Sequence, residues 1–368
     1  MREAGIPRRI RTAAVLGAFV LGGIGGIAVS AGASTSPRTT AAPRISAAEC
    51  AANRAAGTVT FVSPFGFGPG PGLIENFIAQ KLGYFATECL KVNIVTSSYT
   101  PNELVSSGTG TFTSEGSAAD ALEAVASGSN LVSIATYADT STYVLLTSPT
   151  ITNLKQLAGK TLGYHTAMPV ILTEMLKNAG VNLGAIQLIN DTSYDPTLLT
   201  QGKFSALQAY EVNEPLTLTA DHLKFKEWYP AQYKAYGTFN TVVVNGTFLK
   251  KHPTAVADFL RAELHAINYC EGHALACIKI EEADAAASGA VYDVEHSVQE
   301  LNLSIHLVKE YTLPGKGIGV ETKAEWAPEV RALEKFGIVK KVPSLDTYEN
   351  TTIAPSLYDG TKLIWPGP

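Results

Sequence analysis

The chain has no surplus of basic charge. Its 28 Lys and Arg are outnumbered by 33 Asp and Glu, for a formal net charge of -5, and they form no basic stripe, which excludes the electrostatic footprint of a nucleic-acid binder. It also lacks the common catalytic signatures: no Gly-x-Ser-x-Gly elbow, no Walker loop and no His-Glu-x-x-His. No repeat of solenoid period is visible. The 7 histidines are scattered. Nothing here asks for a cofactor or a reaction, and the expectation is a chain that is not an enzyme.

Cysteine is scarce, and its placement depends on the N-terminus. Arg8, Arg9 and Arg11 precede the uncharged stretch TAAVLGAFVLGGIGGIAVSAGAS, which ends in Ala31-Gly32-Ala33. This is the layout of an export signal over 1–33, cleaved after Ala33, with an uncleaved membrane anchor as the alternative. Residues 34–56, rich in Ala, Ser, Thr, Pro and Arg, are expected to be a flexible leader. Export places Cys50, Cys89, Cys270 and Cys277 where thiols oxidise, so disulfides are expected. Of three possible pairings, Cys270 with Cys277 closes a short local loop, and Cys50 with Cys89 ties the leader to the first lobe. A zinc site from His265, Cys270, His273 and Cys277 is the rival, disfavoured by the oxidising compartment.

A chain of 368 residues exceeds one small domain and fits two lobes. Past the leader, strands and helices alternate. TVTFV is a strand. LIENFIAQKL puts Leu73, Ile74, Phe77, Ile78 and Leu82 on one helical face, and KVNIVTS is the next strand. SAADALEAVASG offers Ser117 as N-cap and Gly128 as helix stop before the strand LVSIATY. KTLGYH, PVILTEMLKNAG, AIQLIN, DPTLLTQG and FSALQAY then repeat the pattern with fresh material. YGTFNTVVVN and the helix PTAVADFLRAELHAINYC follow. Such alternation predicts α/β architecture with parallel, doubly wound sheets. TYVLLTS and FNTVVVN are expected as two hinge strands between lobes of 57–143 plus 242–368 and 144–241, with a cleft between them.

In open parallel sheets, ligands bind beyond the carboxyl ends of strands. Those positions hold Phe65 and Phe67; Glu115, Gly116 and Ser117; Tyr137 and Asp139; His165 and Thr166; and Tyr210, Glu211, Asn213 and Glu214. The glycine-rich SPFGFGPGPG does not have dinucleotide spacing, and its prolines remove amide donors that a phosphate would use. A strand ending in Tyr210, Glu211, Asn213 and Glu214 supplies a stacking surface and acceptors. The same residues would also suit a capped helix start.

Several segments carry a resemblance: LIENFIAQKLGYFATECLKVNIVTSS, GSAADALEAVASGSNLVSIATYAD, ITNLKQLAGKTLGY, LLTQGKFSALQAYEVNEPLTL and GIVKK. They resemble the substrate-binding proteins of ABC importers, in the thiamine-pyrimidine, sulfonate and nitrate group. The resemblance implies a two-lobed type II periplasmic-binding-protein fold: an exported, monomeric receptor that closes on a small molecule and delivers it to a membrane permease. The Asn213-Glu214-Pro215 segment is similar to that of members taking up thiamine-pyrimidine precursors, which implies roles for Glu214, Tyr210 and Phe65 around an aminopyrimidine. YHTAMP replaces the anion loop of the sulfonate and nitrate members, which remain the alternative. Another alternative is a pyrimidine synthase of the same fold that consumes its own histidine, for which His165 is the candidate.

Overall fold

The computed structural model describes residues 45–96 and 100–368. The expected signal, its cleavage point and the leader up to residue 44 lie outside the described residues. Ten strands make two five-stranded sheets. They are β1 (Thr58–Val62), β2 (Lys91–Val95), β3 (Phe112–Glu115), β4 (Leu131–Ala138), β5 (Tyr143–Thr147), β6 (Thr161–Tyr164), β7 (Gln187–Asn190), β8 (Ala206–Tyr210), β9 (Lys226–Trp228) and β10 (Phe239–Asn245). The helices that matter below are α1 (Ala47–Ala55), α2 (Ile74–Lys81), α3 (Ala118–Ala126), α4 (Val170–Asn178), α5 (Glu214–Ala220), α6 (Pro253–Gly272), α7 (Ala274–Ala287), α8 (Val294–Glu310) and α9 (Lys323–Lys335).

The first sheet has the order β2-β1-β3-β10-β4 and the second β7-β6-β8-β5-β9. The orders are equivalent, with β10 and β5 in corresponding places. The expectation of wholly parallel sheets needs correction: β10 runs antiparallel to β3 and β4, and β5 antiparallel to β8 and β9. Each arrives from the other sheet, so it enters against the direction of its neighbours. The two segments read as hinge strands are therefore full sheet members, and the crossings fall in the short stretches 139–142 and 229–238.

Local signals explain most elements. Ser117 accepts from Asp120 N at 3.3 Å and starts α3, while Gly128, at φ +98°, ends that turn as only glycine does cheaply. Asp195 takes the amide of Thr197 at 2.9 Å. The first core is aromatic: Phe259 of α6 stacks on Phe112 at 3.9 Å and on Phe85 at 5.0 Å, and all three are buried. The expected leader is also corrected at its end. Ser46 caps α1, the Cys50–Cys89 disulfide fastens the helix, and Asn53, fully buried, donates to Glu88 O and Asp258 Oδ2, both at 2.7 Å. Composition hid an ordered helix because its anchors lie 35 and 205 residues away. The second disulfide joins Cys270 to Cys277. Among the described residues, no helix is long and apolar enough to cross a membrane.

Candidate functional site

The β3–α3 turn of the first sheet meets the second sheet at Gly116. There β5 begins and β8 ends, and the antiparallel register sets Tyr143 directly opposite Tyr210. Their rings stack at 4.7 Å with a 29° interplanar angle, and the Tyr210 hydroxyl donates to that of Tyr143 at 3.1 Å. A methyl group on Gly116 would lie 3.2 Å from Asp120 Oδ2, 3.2 Å from Tyr143 Oη and 3.7 Å from Tyr210 Oη. Three oxygens, one from α3 and two from the second sheet, thus converge on one backbone position, and a side chain there would crowd them. Burial pushes the Asp120 carboxyl up, against its bonds to Ser117, and pushes both phenols up as well.

The loop after β1 lies beside Gly116 through Asn240, whose backbone amide donates to Gly116 O at 2.9 Å. Glu75, fully buried, accepts from Gly72 N at 2.6 Å and from the Tyr137 hydroxyl at 2.9 Å. Glu281 of α7 accepts from Gly68 N at 2.9 Å and from the Tyr292 hydroxyl. Burial raises these carboxyls to about 7 and about 8. Asn240, itself at φ +55°, presses its amide against Gly72, where a Cβ would meet Oδ1 at 2.0 Å; its Nδ2 has no partner.

On the second-sheet side, His165 stacks on Tyr194 at 4.3 Å, its Nδ1 lies 2.9 Å from Asp191 O, and its buried Nε2 has no partner. Thr166 and Tyr194 both adopt positive φ, +56° and +54°, and for the β-branched Thr166 this is a strained conformation of the kind that collects at functional loops. Glu214 closes the β8 turn by accepting from Tyr210 N at 2.7 Å, and burial raises it to about 7. Asn213 reaches α8: its Oδ1 lies 2.8 Å from His296 Nε2, which also faces Glu300 at 3.5 Å. The hydrogen bond with Glu300 raises the His296 pKa against the effect of burial.

The structure therefore brings Ser117 and Tyr210 together around Gly116, with Glu214 bonded to the Tyr210 amide, while His165 and Thr166 stand with Tyr194 beyond the end of β6. The other expected site residues go elsewhere. Tyr137 is 1% exposed inside the first core, because alternation along β4 turns it toward Glu75. Asp139 sits where its amide binds Tyr311 O at 3.0 Å, beside a small hollow with Glu325. The Glu115 carboxyl interacts with Asn102 and is raised to about 8 by burial and then Asp120. Phe67 packs on Phe77, and Phe65 is 59% exposed. Sequence reasoning missed Tyr143, Asp120, Asn240, Tyr194 and His296. Only Tyr143, the aromatic at the start of an apolar run, carried a signal, and it was absorbed into a hinge.

The periplasmic aliphatic sulphonate binding protein SsuA of Escherichia coli superposes with a TM-score of 0.59 at 15% identity, covering 84% of this chain and 96% of that one. A Candida albicans gene product described as having the generic periplasmic binding protein fold gives 0.52 at 14% identity, covering 84% and 98%. The desulfurization enzyme DszB gives 0.55 at 11% identity, covering 81% and 98%. At these identities the likeness establishes the fold alone. No curated protein sequence matches the chain. The family model described as NMT1/THI5 like matches residues 71–274, more than half of the sequence, so the chain, with its periplasmic-binding-protein fold, belongs to the NMT1/THI5-like family.

Proposed function

We propose that this protein is a non-catalytic solute receptor that binds a small polar aromatic molecule between two lobes, each built on one of the sheets, and delivers it to an ABC permease. The lobes would be residues 57–143 with 242–368, and 144–241. What carries the reading is the convergence at Gly116 of a stacked tyrosine pair from the second sheet and the Asp120 carboxyl from α3, which follows the first sheet. Flat rings offer stacking, and the oxygens accept hydrogen bonds from amino groups. The residues named around that point include Asp120, Glu214 and Glu300 but neither arginine nor lysine. An anion would ask for guanidinium, ammonium or free helix-terminal amides, so a donor-bearing heteroaromatic such as a thiamine-pyrimidine precursor fits better than a sulfonate.

Ligand contacts would come from Tyr143, Tyr210 and Asp120, with His165, Thr166, Ser117 and Glu214 shaping the walls. Calorimetric titration tests the assignment: an aminopyrimidine should bind, and Tyr210→Phe, which keeps the ring but loses one hydroxyl, should weaken it about tenfold. Preferential binding of taurine would overturn the ligand class. An unchanged affinity in Tyr210→Phe would remove that hydroxyl from the contact set. A mass loss in the intact protein after incubation with substrates would replace the receptor with a synthase that consumes His165.

A further inference from the structure

A second feature lies at the opposite end of the second sheet from Tyr210, where β6 and β8 begin and β5 ends. A cavity of about 420 Å³ opens there, with Ser148 and Thr150 following β5, Lys160 preceding β6, and Leu199, Phe204 and Lys224 around it. Its floor is apolar: Ile151, Leu199 and Phe204 are 3%, 2% and 1% exposed. Its rim is basic. Lys160 and Lys224 are exposed at the mouth, Lys203 Nζ lies 5.3 Å over the Phe204 ring, and Lys226 Nζ donates to Ile151 O at 3.3 Å. No Asp or Glu lines the cavity, and among the described residues none of these four lysines forms an ion pair.

In a chain of net charge -5, Lys160 and Lys224 line this cavity with no carboxylate beside them, so an anion bound there gains their attraction without a competing negative charge. Ile151, Leu199 and Phe204 in the lining favour an apolar body beside the charge. The volume falls within the span of small-molecule sites. We propose that this cavity is a second binding site, separate from the interlobe cleft and of opposite charge preference, for an amphipathic monoanion: one carboxylate or sulfonate on an acyl or aromatic body.

The probe is 8-anilinonaphthalene-1-sulfonate, followed by fluorescence in the intact protein. One saturable site is expected, with affinity that falls as salt is added. Decanoate should displace the probe and neutral decanol should not. Lys160→Glu with Lys224→Glu should weaken binding about tenfold, while Lys160→Arg with Lys224→Arg should preserve it, both pairs being surface changes that keep the thermal midpoint. Displacement by decanol equal to that by decanoate, affinity indifferent to salt, or undiminished binding in the charge-reversed pair would each overturn the site.

Discussion

Glu329 offers a quantitative test of how the two halves are braced. It sits on α9 at 2% exposure, and its Oε2 accepts from Thr238 Oγ1 at 2.9 Å; that hydroxyl in turn accepts from Ala118 N, the first residue of α3, at 2.8 Å. Thr238 lies in the second crossing. Burial raises the Glu329 carboxyl from 4.5 to about 8, with the Asp120 charge adding to it. Because the folded pKa is the higher one, the folded state keeps a proton that the unfolded chain releases. The contribution is present below pH 4.5 and is lost as pH rises to about 8. A difference of that size corresponds to about 4 kcal/mol at pH 8. Glu329→Gln keeps the shape and the Thr238 contact but has no proton to release. Urea unfolding from about pH 5 to about pH 8 should show the variant matching the wild type at the acid end and overtaking it at the basic end. Glu115, Glu281 and Glu321, also raised to about 8 by burial, give both proteins the same sign of slope. The variant's slope should be shallower by close to one proton. Parallel curves would refute a protonated Glu329.

Three further outcomes follow from the packing. Phe259→Ala removes the centre of the stack with Phe112 and Phe85 and should cost about 3–5 kcal/mol by denaturant unfolding. Replacing Cys50 and Cys89 by serine, which opens a span of 39 residues, should cost about 4 kcal/mol, against about 2.5 kcal/mol for the span of 7 between Cys270 and Cys277. Gly72→Ala meets both a φ of +96° and the Asn240 amide at 2.0 Å; it should lower the thermal midpoint by several degrees and weaken the ligand, whereas a variant as stable as wild type would mean that the loop relaxes freely.

Legibility in the sequence followed the range of the forces involved. β1 falls on TVTFV as expected, Ser117 caps its helix, and both disulfides join the expected pairs. These are set by neighbours, by turn chemistry or by a compartment. β3 and β9 fall on FTSE and KEW, short and mostly polar stretches that carry no strand pattern. The tyrosine pair was invisible for a different reason: Tyr143 and Tyr210 are 67 residues apart, and only the antiparallel entry of β5 sets them opposite each other. Tyr137 stands near the expected end of β4 and Glu115 at the end of the unforeseen β3, and side-chain alternation aims them at Glu75 and Asn102. Strand-end position locates a residue along its sheet but not the direction its side chain faces.

The two crossings and α9 together constrain how the molecule can move. Trp326, Ala332 and Leu333 of α9 pack against Ala118, Ala119 and Leu122 of α3 and against Val170 at the start of α4, so one helix rests on both halves. Two connecting segments alone would permit twisting as well as bending. A third support off their line resists that twist. In the receptor proposed above, closure on different cargoes would then converge on one outline, which a permease could read without contacting the cargo.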